Sequence, residues 1–284
     1  MSPLVHTSEP RLIIGCGYLG RVVAARWLAR GHRVAALTRS NAEKLRTVGV
    51  EPITGDVLDP TSLRALPTAS TVLYAVGFDR TAGRPMHEVY VTGLANVLRA
   101  LPPCSRFVYV SSTSVYGQSD GGWVDETSPT APTEDSGRVV LEAEQLLRTH
   151  KPDAIVLRSA GLYGPHRLLR RQPVLNGEPL IGDADKWLNL VHVSDAADAV
   201  LFAEGKGHPG ETYNLADGVP VTRRDFYTRL AELLNAPAAK FEHKPEPGAP
   251  NRRINASKFR DLGWAPQYAS YHDSLTAAVA DTTM

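Results

Sequence analysis

Six residues near the N-terminus, Gly15-Cys16-Gly17-Tyr18-Leu19-Gly20, carry the sharpest chemical signal in the 284-residue chain. The spacing G-x-G-x-x-G suits a pyrophosphate. One glycine permits a tight turn, one lets backbone approach the phosphates, and one lets a helix pack closely on a strand. The flanks decide whether such a run binds an anion or only packs. Arg11-Leu12-Ile13-Ile14 reads as a buried strand, and Tyr18 to Arg30 as a helix with Leu19, Val23 and Trp27 at i, i+4 and i+8. A helix N-terminus facing the loop adds N–H donors for the same anion. The loop is therefore expected to hold a dinucleotide.

Three later positions should touch the same ligand. The second strand, Arg33 to Thr38, runs into Arg39-Ser40 with no acid to accept from ribose hydroxyls. Arg39 can pair with a 2′-phosphate, with Ser40 as an added donor, so NADP is expected and NAD is the alternative. The bland reading of Arg39 is a solvated side chain. Asp56, in Gly55-Asp56-Val57 after a third strand at Glu51 to Thr54, could accept from an adenine amino group. Ala75-Val76-Gly77 ends a fourth strand, where small residues allow the backbone close to a ligand.

The elements that must hold these residues alternate. After the first two strands come a helix at Asn41–Val48, strands at Glu51–Thr54, Thr71–Val76 and Arg106–Ser111, helices at about Met86–Leu101 and Ser136–His150, and a strand at Ala154–Ser159. Repeated strand–helix–strand units demand parallel pairing, and apolar strand centres suit a sheet covered on both faces. The fold expected is α/β, a doubly wound parallel sheet. After Ala160 the rhythm breaks. Residues 161–187 are irregular, Leu188–Val193 returns as a strand, and Ser194–Glu204 as a helix capped by Ser194 or Asp195. Beyond lie a strand at Thr212–Leu215, helices at Arg223–Asn235 and Tyr271–Val279, and a proline-rich stretch at Lys244–Pro250. This organisation divides the chain into a dinucleotide-binding domain, 1–160 with 188–204 returning to it, and a smaller substrate lobe, 161–187 with 205–284.

Composition narrows the class. Hydrophobic residues make up 43% and charged residues 21%, ordinary for a globular protein. With 31 basic and 30 acidic residues the net charge is +1, which gives no reason to expect a nucleic-acid or membrane-surface partner. No apolar run is long enough to span a bilayer, and Met1 to His6 lacks the layout of a secretory signal. Cys16 and Cys104 cannot make a disulfide framework, and a cytoplasmic protein is expected. The nine histidines are scattered with no metal-ligand spacing, so no metal site is expected.

Four further segments give the chain a family likeness. They are Ser111-Ser112-Thr113-Ser114-Val115-Tyr116-Gly117, Leu157-Arg158-Ser159-Ala160-Gly161-Leu162-Tyr163-Gly164-Pro165, Asn189-Leu190-Val191-His192-Val193-Ser194-Asp195, and Asn255 to Pro266 with Leu262-Gly263-Trp264. With the glycine loop, they resemble the extended short-chain dehydrogenase/reductase superfamily in its NAD(P)-dependent epimerase and dehydratase branch. The resemblance implies a Rossmann fold and a cofactor set of Gly15, Gly17, Tyr18, Leu19, Gly20, Arg39, Ser40, Asp56, Val57, Ala75, Val76, Gly77 and Ser111. It also implies that Ser112 hydrogen-bonds the substrate oxygen, and that a Tyr-x-x-x-Lys pair on the next helix does the proton work.

That pair is missing. The register of the helix puts Ser136 at the tyrosine position and Val140 at the lysine position, and none of the ten tyrosines has a lysine four residues later. The chain thus resembles the atypical members that keep fold and glycine loop without the standard tetrad. Tyr163, which has Arg167 four residues on, is the candidate substitute acid, against a structural role in its turn. His166 and Arg167 could meet an anionic group, and His192 reads as a core histidine. Glu134 and Asp135 cap the fifth helix, Trp123 could close a long polar loop at Gln118–Asp135, and Arg252-Arg253 could grip a phosphate. The function expected is an NADP-linked oxidoreductase or epimerase acting on a nucleotide sugar or another small hydroxy or carbonyl compound by a non-standard acid–base arrangement. The alternative is a non-catalytic NADP-binding sensor or scaffold. A homodimer is compatible with either.

Overall fold

The computed structural model describes residues 9–244 and 248–283. The segment Met1 to His6, and Pro245 and Pro247 of the proline-rich stretch, lie outside the described residues. In chain order the first elements are β1 (Arg11–Ile14), α1 (Tyr18–Ala29), β2 (Val34–Thr38), α2 (Ala42–Thr47), β3 (Glu51–Thr54), β4 (Thr71–Tyr74), α3 (Gly93–Ala100), β5 (Arg106–Ser112), β6 (Trp123–Val124) and α4 (Asp135–His150). They are followed by β7 (Ile155–Ser159), β8 (Gly161–Tyr163), α5 (Arg171–Leu175), β9 (Leu180–Ile181), β10 (Trp187–Leu188), β11 (Leu190–His192) and α6 (Val193–Lys206). The last are β12 (Thr212–Leu215), β13 (Val221–Thr222), α7 (Arg223–Leu233), β14 (Phe241–Glu242), β15 (Arg253–Ile254), α8 (Ser257–Asp261) and α9 (Tyr271–Thr283).

Seven strands form one sheet in the order β12-β7-β5-β4-β1-β2-β3. The β1–β2, β2–β3, β1–β4 and β4–β5 pairs are all parallel, with Leu12 opposite Ala35 on one side and Val72 on the other. Chain order reverses between β1 and β4, which makes the carboxyl ends of those two strands the switch point of a doubly wound sheet. Each of the strand cores Leu12-Ile13-Ile14 and Val72-Leu73-Tyr74 is fully buried, the signature of a sheet covered on both faces.

By their contacts the described residues fall into two compact units. The first comprises Met1–Ser111, Glu142–Leu157 and Val200–Thr212. Its core joins Leu12, Ile14, Leu37, Val72, Tyr74, Val97, Phe107, Leu147 and Val156. One half-buried carboxylate, Glu204, gathers the Arg11 guanidinium at 3.0 Å and the Trp27 indole N–H and Thr71 hydroxyl at 2.7 Å each, tying β1, α1 and β4 together. The second unit comprises Ser112–Leu141, Arg158–Ala199 and Tyr213–Met284, with a core of Tyr163, Leu190, Phe226, Leu230, Tyr271 and Leu275.

Several expectations are corrected. α6 begins at Val193, so Ser194 and Asp195 lie inside its first turn and neither caps it. Asp195 is instead buried, accepting from the Gln267 and Tyr268 N–H groups at 2.7 and 3.2 Å. The single strand expected over Leu188–Val193 is two. β10 pairs antiparallel with β13 and β11 parallel with β8, and Asn189 breaks the run between them. The helix from Met86 has a wider π turn at Glu88–Thr92 before α3, and α9 runs to Thr283 rather than Val279.

Candidate functional site

The glycine loop is held in its turn by sterics. Gly15 has φ of 93°, and a Cβ there would sit 2.6 to 2.7 Å from the backbone of Ala75 and Val76, so only glycine fits where the end of β4 presses on the loop. A Cβ on Gly20 would meet the Gly15 carbonyl oxygen at 2.7 Å, which brings α1 close onto the turn. Gly17 is the opposite case, with nothing within 4 Å of its would-be Cβ. Gly17 is also the N-cap of α1, with no side-chain cap and no acidic residue in the first turn. Two glycines fill the cradle and the third leaves it open over an uncapped helix terminus, which is how a pyrophosphate is accommodated. Leu19 is buried in the core while Tyr18 is half-buried. Burial pushes the Cys16 thiol up to about 11 against the pull of Arg21, which leaves it inert at neutral pH.

The neighbouring strand ends supply the rest. Arg39 and Ser40 are exposed just past β2. Arg39 lies near enough to Asp79 to help hold that carboxyl below its ordinary value, after the larger effect of the Thr81 hydroxyl and N–H. Asp56 uses one carboxylate oxygen to accept the Leu58 N–H at 2.9 Å, and Val57 packs where a Cβ on Gly93 would approach it to 2.8 Å. Ala75 donates its N–H to the Ile14 carbonyl at 2.8 Å, and Ala75, Val76 and Gly77 lead out from the switch point. Ser111 differs from these residues in its surroundings. It is buried, and its hydroxyl donates to the Glu144 carboxylate on α4, so its side chain is committed inside the fold.

The second unit builds a different site around the Ser112 turn. Ser112 is half-buried and its hydroxyl accepts from the Ser114 N–H at 3.1 Å, opening a short 3₁₀ turn at Thr113–Val115. Tyr116 anchors that turn from below. Its buried hydroxyl donates to Asn214 Oδ1 at 2.9 Å and accepts from Arg158 Nη1 at 3.0 Å. The Asn214 N–H in turn reaches the Glu126 carboxylate at 2.6 Å. Burial raises the Tyr116 phenol, with Arg158 pulling against it. The first turn of α4 lies against the Ser114 carbonyl, where Gly137 leaves no room for a side chain. Ser136 is exposed beside it, and Val140 is 5% exposed, an apolar residue turned into the packing.

Beside this turn lies a cleft of about 150 Å³ lined by Ser114, Glu134 and Arg252, and closed by Lys186, Trp187, Asn189 and Pro250. Arg252 Nη2 donates to the Thr113 carbonyl at 2.7 Å. Burial lowers the Arg252 guanidinium, with Glu134 opposing, and neither Arg252 nor Arg253 is a freely solvated side chain. Arg253 lies between the Trp123 and Trp187 rings, 5.1 and 5.3 Å from their centroids, and donates to the Gly121 carbonyl. Trp123, 53% exposed, is thereby anchored to Arg253. Its loop is also fixed by parallel pairing of β6 with β15 and by mutual bonds between the Gln118–Gly121 and Asn251 backbones.

Tyr163 does not come to this site. It is 1% exposed in the core of the second unit, hydrogen-bonded to the Ser274 hydroxyl, with its ring edge-on to His192 and Phe226. Burial raises its phenol, the wrong direction for an acid. His192 is a core histidine whose Nδ1 accepts the Ser194 N–H at 3.3 Å. His166 and Arg167 are exposed, with His166 at φ of 60° and its N–H bonded to the Thr282 hydroxyl. Lys186, Trp187 and Asn189 escaped sequence reasoning. The available signal was a lone asparagine interrupting an apolar run.

Among the described residues no helix is long and apolar enough to cross a membrane, and no group of three His, Cys, Asp or Glu could hold a metal ion.

Comparison with known proteins agrees with this architecture. The protein YeeZ of Escherichia coli K12 is 30% identical over 269 residues, 90% of this chain and 95% of that protein. The UDP-glucose 4-epimerase of Mycolicibacterium smegmatis is 27% identical over 289 aligned positions, covering 89% of this chain and 92% of the epimerase. Among solved structures, the dTDP-glucose 4,6-dehydratase DesIV of Streptomyces venezuelae, with NAD and TYD bound, superposes with a TM-score of 0.83 at 24% identity over 96% of this chain and 97% of that one, a likeness of fold. The NAD dependent epimerase/dehydratase family profile matches residues 12–216. The chain belongs to that family of NAD(P)-binding oxidoreductases.

Proposed function

We propose that the protein is an NADP-linked oxidoreductase or epimerase acting on a small hydroxy or carbonyl compound, a nucleotide sugar being one such class, without the usual tyrosine–lysine pair. The observation that carries the reading is the glycine loop, filled at Gly15 and Gly20 and open at Gly17 over an uncapped helix. Gly15, Gly17, Tyr18, Leu19 and Gly20 would hold the diphosphate, Arg39 and Ser40 the 2′-phosphate, Asp56 and Val57 the adenine, and Ala75 to Gly77 the backbone wall beside it. Absence of an acid after β2 supports NADP over NAD.

A bound nicotinamide supplies the hydride donor or acceptor. The chain must supply orientation and a proton path. Ser112 would donate its hydroxyl to the substrate oxygen while accepting the Ser114 N–H, an arrangement that polarises a carbonyl and holds it in place. Ser136 cannot act as an acid on its own, because an aliphatic hydroxyl is far weaker than an activated phenol. Glu134, the carboxylate lining the cleft beside the Ser112 turn, is the group in this unit best placed to exchange a proton with a substrate or through water. Retention of an open cradle without the tyrosine–lysine pair also supports the second reading, a dinucleotide-binding sensor.

The deciding experiment titrates the purified protein with NADPH and NADH by fluorescence, then assays hydride transfer with aldehydes, ketones, hydroxy acids and nucleotide sugars. Tighter NADPH binding with turnover that is lost in Ser112→Ala establishes the enzyme. Binding without any turnover favours the sensor. No binding of either dinucleotide overturns both.

A further inference from the structure

The cleft beside the Ser112 turn has properties that go beyond a generic substrate pocket. Two cations, Lys186 and Arg252, line it against a single carboxylate, Glu134. The Lys186 ammonium has no partner among the described residues. Arg252 uses Nη2 on the Thr113 carbonyl at 2.7 Å, while its Nε is buried and has no partner among the described residues. An orphaned N–H on a buried cation is costly unless a ligand completes it.

The guanidinium is also held in advance of any ligand. Asn189 donates from Nδ2 to the Arg252 carbonyl at 2.9 Å and accepts the Ile254 N–H on Oδ1 at 2.7 Å, clamping the backbone on either side of Arg253. Trp187 forms a rigid wall because Arg253 stacks on its ring at 5.3 Å and its backbone N–H donates to Asn251 Oδ1 at 2.9 Å. Pre-organisation of this kind lowers the ordering cost of binding.

We propose that this cleft binds a small oxyanion, a carboxylate or a phosphate monoester carried by the substrate, through Arg252 and Lys186. The substrate is then a compact anionic hydroxy or oxo compound rather than a nucleotide sugar. This assignment rests on the oxidoreductase reading only for the word substrate; the anion site stands without it. Size supports it. The cleft measures about 150 Å³, whereas sites that enclose larger organic ligands start at roughly 300 Å³. Charge supports it too, since two cations against one acid leave a net positive site. The guanidinium fork matches either oxyanion.

The test uses the full chain without added cofactor. Malate, inorganic phosphate and UDP-glucose are titrated separately by calorimetry at constant ionic strength set with chloride, and NADPH affinity is measured on the same samples. Saturable one-to-one binding of malate or phosphate is expected, weakened about tenfold in Lys186→Gln and in Arg252→Lys. A response to malate alone identifies the carboxylate, and to phosphate alone the phosphoester. NADPH affinity should be the same in both variants. The proposal is overturned if UDP-glucose binds while both small anions do not, or if Lys186→Gln, whose ammonium holds nothing in the fold, binds the anions as tightly as the parent. Anion binding without NADPH binding removes the oxidoreductase reading and leaves the anion site in place.

Discussion

The glycine loop and the Ser112 cleft solve the problem of presenting N–H donors to an anion in opposite ways. In the loop, the donors belong to the backbone, and the chain specifies them by leaving side chains out. Gly15 and Gly20 are glycines because other backbone already occupies the Cβ position, whereas Gly17 has open space there, which the proposed function assigns to the ligand. In the cleft, the donors proposed are side chains, Lys186 and Arg252, and the placement of Arg252 depends on distant partners, Asn189 and Thr113. A backbone site tolerates almost no substitution within it and needs little support from outside. A side-chain site should be the reverse, easily altered in specificity yet dependent on a buried polar scaffold.

The loop offers the strongest test of that contrast, because two of its glycines should fail for different reasons. Gly15→Val places a branched side chain at φ of 93° and within 2.6 Å of the Val76 amide nitrogen. Strain and overpacking together should cost about 3 kcal/mol or more and abolish dinucleotide binding. Gly17→Ala meets no atom within 4 Å, so urea unfolding should move by less than about 1 kcal/mol. Its NADPH affinity should nevertheless fall by roughly tenfold or more as the methyl intrudes on the phosphates. If Gly17→Ala binds NADPH as tightly as the parent, the open face is not the ligand face.

The second unit holds a buried carboxylate that is costly to ionise. Asp217 is 3% exposed, and burial pushes its carboxyl up to about 7, while the Val219 N–H and Arg260 pull it down and Asp195 adds to the rise. One of its oxygens accepts the Val219 N–H at 3.0 Å and the other has no partner among the described residues. A folded value above the unfolded one means that the native state holds the proton more tightly. Its stabilising contribution is complete below the ordinary aspartate value of about 4 and is lost as pH rises through about 7. Asp217→Asn should therefore gain on the parent across that window, by on the order of 2 to 3 kcal/mol at pH 8, in urea unfolding measured at pH 5, 6, 7 and 8. A constant gap between the two proteins at all four values would rule out Asp217 as the source.

A smaller loss is expected from the scaffold beneath Ser112. Tyr116→Phe removes the hydroxyl that joins Arg158 to Asn214, and leaves two buried polar groups short of a partner. The expected cost is about 1 to 3 kcal/mol. If the cleft depends on this scaffold, affinity for small anions should fall with it, while NADPH affinity stays constant. Equal loss of both ligands would mean general loosening.

These two regions also differ in how far they could be read before the fold was known. Three strands, at Arg11–Ile14, Glu51–Thr54 and Thr212–Leu215, match their sequence-based bounds, because apolar runs between breakers leave little choice of register. The glycine loop was equally legible, since its meaning is contained in six consecutive residues with a strand before and a helix after. The cleft was not. Arg252 read as a phosphate grip or a solvated cation because nothing local reveals that the Thr113 carbonyl lies against it. Lys186 and Trp187 sit in a stretch without periodicity, and two-residue strands such as β6 and β15 exist only through their pairing. Tyr163 and Ser111 are hard to read locally for the same reason. Each is a chemically able side chain in a family segment, and only the packing shows that Ser274 and Glu144 already hold their hydroxyls.

The smallest effect belongs to Arg39, the side chain that the proposed function assigns to the choice between two dinucleotides. Arg39 is exposed, and its charge is already felt by Asp79, so part of its attraction for a 2′-phosphate is offset before any ligand arrives. Exposed pairs are weak and screened by salt. Arg39→Ala should therefore raise the NADPH dissociation constant only about tenfold, and less at high salt, with NADH unchanged. Asp79→Asn should act in the opposite sense and tighten NADPH two- to fourfold by roughly the strength of one exposed charge interaction. Fluorescence titrations of both variants at low and high salt measure this directly. If Arg39→Ala weakens NADH as much as NADPH, the arginine reads a part of the ligand common to both, and the preference for NADP loses its basis.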